Sequence, residues 1–242
     1  MIGLLGKKIG MTQVFDKEGS VVPVTVVEAG PCPILQIKTK EKEGYTALQL
    51  GFGEKKPKKV TKALMTRFTR LNITPKAYIR EFRVETTDNL KEGQILTVDL
   101  FNTGDYVDVT GTSIGKGFQG GVKRWHWKSG DKTHGSMSHR RPGSIGSSSD
   151  PSRVFKGHHL PGRMGGKRLT TQNLEVIKVD KDKNLLIIKG SLPGHDNSIV
   201  MVKKALKKKF KVVRELKKPE TKKAKETPKK ETKPKTKETT KK

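Results

Sequence analysis

Between positions 115 and 168 the chain carries no hydrophobic period. It shows neither the 3.6-residue spacing of an amphipathic helix nor the alternation of a half-buried strand. A compact domain rarely contains so long a stretch without regular structure unless the stretch is functional or disordered. Twelve Lys or Arg residues stand there against two acids, Asp131 and Asp150. Trp125, Trp127, Phe118 and Phe155 argue against plain disorder, which is poor in aromatics. The stretch is expected to be a long basic arm that orders against a large polyanion.

The flanks read as β-structure. Val21 to Val27 is β-branched and broken by Pro23, which marks an edge or a bulge. Short strands are expected around Ile34 and Gln36, at 45–52, 79–84, 95–101 and 106–113, then at 174–179, 185–190 and 199–202 after the arm. Their spacing suggests an antiparallel barrel or sandwich. The arm is then an insertion between strands of one body, since strands on both sides are needed to close a core. Val60, Ala63, Leu64 and Phe68 recur at helical intervals, so 58–70 is expected to form a short amphipathic helix. Its other face is basic: a solvated face on one reading, a phosphate-facing one on the other.

The formal net charge of +28 favours polyanionic partners, nucleic acid or a membrane surface. No apolar run approaches membrane-spanning length, and the first residues do not read as a secretory signal. A single cysteine, Cys32, excludes an internal disulfide framework and reads as a small core residue. These features point to the cytoplasm. The last 26 residues, 217–242, hold twelve Lys and four Glu with no large apolar side chain, so that tail is expected to be disordered. The expected division is a body of 1–114 with 169–216, an inserted arm of 115–168, and the tail.

Gly115-x-Gly117-x-x-Gly120 formally matches a dinucleotide fingerprint. No clear helix start follows it, and no acid lies about twenty residues on to hold a ribose. Glycines there more plausibly let backbone amides approach phosphates. Five of the six histidines lie in the arm, without a recognised metal-ligand spacing. Ser138, His139 and Asp150 lack the scaffold that catalysis requires. Neither a cofactor, a metal nor an enzymatic activity is expected. Arg124, Arg140, Arg141, Arg153, Arg163 and Arg168 present planar forks suited to phosphate and to stacking on bases. The arm offers no helix for the major groove of DNA, so folded RNA, with its irregular pockets and unstacked bases, is the favoured partner. Compaction of DNA by the Lys-rich tail and an enzyme built on the histidines are the competing classes.

Several motifs occur in order. Phe101-x6-Asp108-x2-Gly111-x-Ser113-x-Gly115-Lys116-Gly117-x2-Gly120-x3-Arg124 resembles the signature of the ribosomal protein L-three family of the large subunit. Gly3-Leu4-Leu5-Gly6-Lys7-Lys8-Ile9-Gly10-Met11-Thr12 resembles the opening of its bacterial form. So do His134-Gly135, Ser138-His139-Arg140, Arg141-Pro142-Gly143-Ser144-Ile145-Gly146 and Phe155-Lys156-Gly157. The resemblance covers about 1–211 and leaves out the tail.

It implies a mainly β fold: a small antiparallel β-barrel of the translation-protein type with one or two short helices, the long irregular basic loop, and the tail. It implies a structural protein that binds large-subunit ribosomal RNA near its 3′ end and acts early in assembly, among neighbouring large-subunit proteins. The loop tip, about 143–156, would approach the peptidyl-transferase centre without performing its chemistry. Many bacterial members carry a methylated glutamine directly after Gly-Ser-Ile-Gly. Here that position is Ser147, so the modification does not follow for this chain.

The candidate RNA-binding residues are Lys116, Lys123, Arg124, Trp125, His126, Trp127 and Lys128, then His134, His139, Arg140, Arg141, Ser144, Ser147, Arg153 and Lys156. His158, His159, Arg163, Lys167 and Arg168 follow, and Lys7 and Lys8 join them from the opening motif.

Overall fold

The computed structural model describes residues 3–208 apart from 17, 86, 88 and 89. The tail expected at 217–242 lies outside the described residues. In chain order the elements are β1 (Gly3–Phe15), β2 (Val21–Ala29), β3 (Cys32–Lys38), α1 (Lys40–Glu43), β4 (Ala47–Glu54), α2 (Lys62–Arg70), β5 (Lys76–Arg83) and β6 (Ile95–Leu96). β7 (Tyr106–Thr112), β8 (Phe118–Gln119), α3 (Gly121–Trp125), β9 (Gly162–Arg163), β10 (Arg168–Asp180), β11 (Leu185–Lys189) and β12 (Ile199–Lys204) complete them.

Six strands close into an antiparallel barrel in the order β1-β12-β7-β10-β11-β2. Alternation sets what faces inward. Val107 and Val109 on β7, Leu186 and Ile188 on β11, and Val200 and Val202 on β12 are all fully buried. β7, before the arm, pairs with β10, after it, within the barrel. Closure needs bending, and bulges supply it. β10 shifts register between Thr171 and Leu174, where it pairs with β7, and again between Val176 and Lys178, where it pairs with β11. Asp108 secures the first bulge. Its buried carboxylate accepts from the Asn173 N–H at 2.8 Å and from the Leu206 N–H at 3.4 Å. Pro23 pairs with Gln13 just past the end of the β2–β11 ladder, where no third strand asks for its missing N–H.

A second sheet, β5-β4-β3-β6, shares its core with the barrel. Ile34, Leu48, Leu50 and Phe82 join Leu4, Leu5 and Phe101 in one cluster. Burying a side chain of this size contributes about 1.5–3 kcal/mol. Helix α2 forms within the expected 58–70 and buries Phe68. Its basic face is partly tied down: Arg67 Nη2 donates to Gln36 Oε1 at 2.7 Å and to Gln49 Oε1 at 2.9 Å. The strand expected at 95–101 is shorter than its pattern suggests. Only Ile95–Leu96 pair, with β3, and Val98–Leu100 turn into a 3-10 helix that buries Val98.

Candidate nucleic-acid interface

The arm leaves the barrel as a continuation of the β7–β10 ladder. Arg168 pairs with Thr112 at the ladder's end. Beyond it the Ser113 N–H donates to the Lys167 carbonyl at 2.9 Å, and the Gly166 N–H to the Ser113 carbonyl at 3.1 Å. Lys116 and Gly117 both bond to Met164 at 2.9 Å, and β8 then pairs with β9. Gly165, with φ of 74°, lies against the Ile114 carbonyl, where a Cβ would collide. Gly120 stands at the N-terminus of α3, and around Gly115, Gly117 and Gly120 a Cβ would meet nothing within 4 Å. Those backbone faces are open, as close approach of a phosphate requires.

Above the ladder an aromatic clamp joins the two limbs. The Trp125 indole stacks on the His159 imidazole, with centroids 4.0 Å apart and planes 9° from parallel. Trp125 Nε1 and Arg124 Nη1 both donate to the Leu160 carbonyl, at 2.9 and 2.6 Å. The Arg124 guanidinium lies 4.9 Å from the Trp125 ring, a favourable cation–π distance. Trp127 covers Gly121 so closely that no larger residue fits there. The five-residue α3 is short because His126 turns left-handed at its end, with φ of 59°. It departs from the expectation that no helix follows the glycine motif: Gly121 makes room for Trp127, a contact that no local periodicity announces.

Internal support thins toward the tip. The Gly130 N–H donates to the His139 carbonyl at 2.9 Å, and His139 Nδ1 lies 2.7 Å from the Asp131 carbonyl. Ser144 Oγ donates to the Gly146 carbonyl at 3.0 Å. The Arg153 guanidinium lies 5.2 Å from the Phe155 ring. Arg140, Arg141, Ser147 and Lys156 are exposed, as are His134 and His158. Among the described residues none of Arg140, Arg141, Arg153 and Lys156 forms a salt bridge. Met137 is 89% exposed and Phe155 59%, so this part of the arm has apolar groups and no core of its own.

The candidate residues therefore divide. Lys116, Lys123, Lys128, Arg163, Lys167 and Arg168 present exposed cations along the arm, while Arg124, Trp125 and His159 hold its limbs together. Lys7 is half-buried on β1, opposite Ile199 and Glu28. The structure places Lys8 inside the fold instead of on an RNA-facing surface. Its Nζ donates to the carbonyls of Gly194 at 3.0 Å and Leu192 at 3.4 Å, and Asp196 lies 3.9 Å away. A buried ammonium needs such partners, and they tie β1 to the turn before β12. Among the described residues no three His, Cys, Asp or Glu side chains converge as a metal site.

One further feature had no local signal. A groove of about 890 Å³ opens at the base of the arm, between β5 on one side and β7 and β12 on the other. Tyr78, Arg80, Ile114, Gly115, Arg168 and Met201 are among its lining residues. The residues that meet there come from segments more than a hundred positions apart.

Residues 78–185 match the family model described as Ribosomal protein L3. The chain is 54% identical to "Large ribosomal subunit protein uL3" of Carboxydothermus hydrogenoformans over 205 residues, which covers 85% of this chain and 98% of the relative. It is 54% identical to the protein of the same name from Syntrophotalea carbinolica over 206 residues, with the same two coverages. To that of Geobacter sulfurreducens it is 50% identical over 205 residues, again 85% and 98%.

Proposed function

We infer the role of this chain from one premise: it belongs to the ribosomal protein L3 family and is a structural protein of the large ribosomal subunit. It works in translation in the cytoplasm and is not an enzyme. We further propose that it binds large-subunit ribosomal RNA directly, near the 3′ end, early in assembly. In this reading 1–114 with 169–216 form the body that docks on the RNA surface, 115–168 penetrate the RNA, and 217–242 are a separate basic tail. The tip, about 143–156, approaches the peptidyl-transferase centre and supports it.

The observation that carries the reading is the graded build of the arm. Its base is clamped by backbone pairing and the Trp125–His159 stack. Its far part carries unpaired arginines and exposed apolar groups such as Met137 and Phe155. A protein would not hold cations and apolar side chains so far from its own core unless another molecule covered them. Folded RNA supplies phosphates for the arginines and unstacked base faces for Phe155. Sedimentation tests this. The protein is expected to travel with large subunits through a high-salt wash. Release into the supernatant at that salt would show a loosely bound surface protein instead.

A further inference from the structure

We propose that the groove at the base of the arm is a second RNA site on the protein body, one that takes an extended, unpaired strand with a base stacked on Tyr78. This rests on the arm being an RNA-binding element, because the two surfaces are continuous: Gly115 and Arg168 belong to both. At about 890 Å³ the groove falls near the top of the ~300–1,000 Å³ range of sites that enclose a small molecule, too large for a single ion. It is also walled on two sides by protein, which suits one strand and not a duplex.

Charge identifies the occupant. Arg80 and Arg168 line the groove, and Arg83 and Lys203 line a second hollow beside Val84 and Leu206, with Lys203 within electrostatic reach of Arg168. Among the described residues none of the four forms a salt bridge. Of the nearby carboxylates, Glu81 and Asp108 are already engaged, while Glu85 also lines the hollow. Glu81 lies 2.7 Å from Lys38 Nζ and accepts from the Tyr45 hydroxyl at 2.8 Å. Asp108, which lines the hollow, is held by the Asn173 and Leu206 amides. Lys203 Nζ lies 5.3 Å from the Phe82 ring, and burial, then Arg168 and Arg83, push its pKa down. Lys203 is half-buried among the exposed Arg83 and Arg168, and like charges brought together repel one another, a repulsion that a phosphodiester relieves. Tyr78, 43% exposed on the groove wall, offers a face to an unstacked base.

The test uses the full chain with large-subunit ribosomal RNA. In the wild-type complex, ultraviolet crosslinking followed by mass spectrometry is expected to join a nucleotide to Tyr78. The variant Arg80→Gln/Arg83→Gln/Lys203→Gln is expected to flatten the salt dependence of binding by about 2 in the log–log slope. The arm variant Arg140→Gln/Arg141→Gln/Arg153→Gln serves as the comparison. If the arm variant flattens the slope, the groove variant does not and Tyr78 stays uncrosslinked, the groove proposal fails and the arm reading stands. If neither variant changes the slope, the arm reading itself fails. Should a poly-glutamate peptide abolish the Tyr78 crosslink at equal charge concentration, the groove is a general acidic-peptide site and the proposal is overturned. The wild-type crosslink decides the matter should the groove variant misfold.

Discussion

Single residues carry more of this structure than their local sequence reveals. Cys32 is fully buried, its thiol donates to the Leu5 carbonyl at 3.4 Å, and burial pushes its pKa up to about 11. The thiolate is the reactive form. Folded protein at pH 8 is therefore expected to resist a thiol reagent that modifies denatured protein promptly, as a spectrophotometric titration would read. Glu81 shows the opposite shift. The hydrogen bond from Lys38, with that from Tyr45, holds its carboxyl below the usual carboxylate range. A lowered carboxyl pKa adds stability above its unfolded value of about 4.3 and loses it as pH falls through the folded value. Glu81→Gln is expected to be less stable than the parent at pH 7, with the gap closing below about pH 4 in chemical denaturation. Trp125 clamps the limbs of the arm. Trp125→Ala is expected to cost about 1 kcal/mol of local stability, beyond lost area. Hydrogen exchange of the amides in β8 and β9 should then quicken about fivefold, with barrel amides unchanged.

Elements were legible where alternation is clean and obscure where it is not. β11 and β12 alternate buried leucine, isoleucine or valine with less buried residues, and β7 alternates valine with the polar Asp108 and Thr110, so their patterns announce them. β1 was not expected as a 13-residue strand, since Gly-Leu-Leu-Gly-Lys-Lys has no alternation. The reason is steric. A Cβ at Gly6 would sit 2.7 Å from Val27 Cγ1, and one at Gly3 would press on the Phe82 ring. These glycines are places where strand and neighbour nearly touch, and that information lies in the partner. The β10 bulge is likewise set by a distant residue, Asp108, 65 positions before Asn173. Removing its carboxylate leaves two backbone N–H groups without that acceptor. Asp108→Ala is expected to cost about 1–3 kcal/mol in urea unfolding. A smaller loss would show that water replaces the carboxylate at the bulge.

The described residues form a barrel with a second sheet, from which a basic arm extends on a clamped base. At this scale the prediction concerns charge. Replacing Arg140, Arg141 and Arg153 by Gln removes three exposed cations at the far part of the arm. The slope of log affinity for large-subunit RNA against log salt is expected to flatten by about 2–3, since fewer counterions are released. An unchanged slope in filter binding would mean these arginines do not meet phosphates. The chain's own residues determined the strongly basic arm between stretches of strand and the barrel's inward-facing side chains. Those depend on net charge and on short-range periodicity, which any window of sequence displays. Only the tertiary structure decided that Lys8 is an interior tie, that Arg124 and Trp125 clamp the arm, and that β5 and β12 form a basic groove. Each of these depends on which distant segment lies within a few ångströms, and the closing of the barrel, not the local order of residues, sets that.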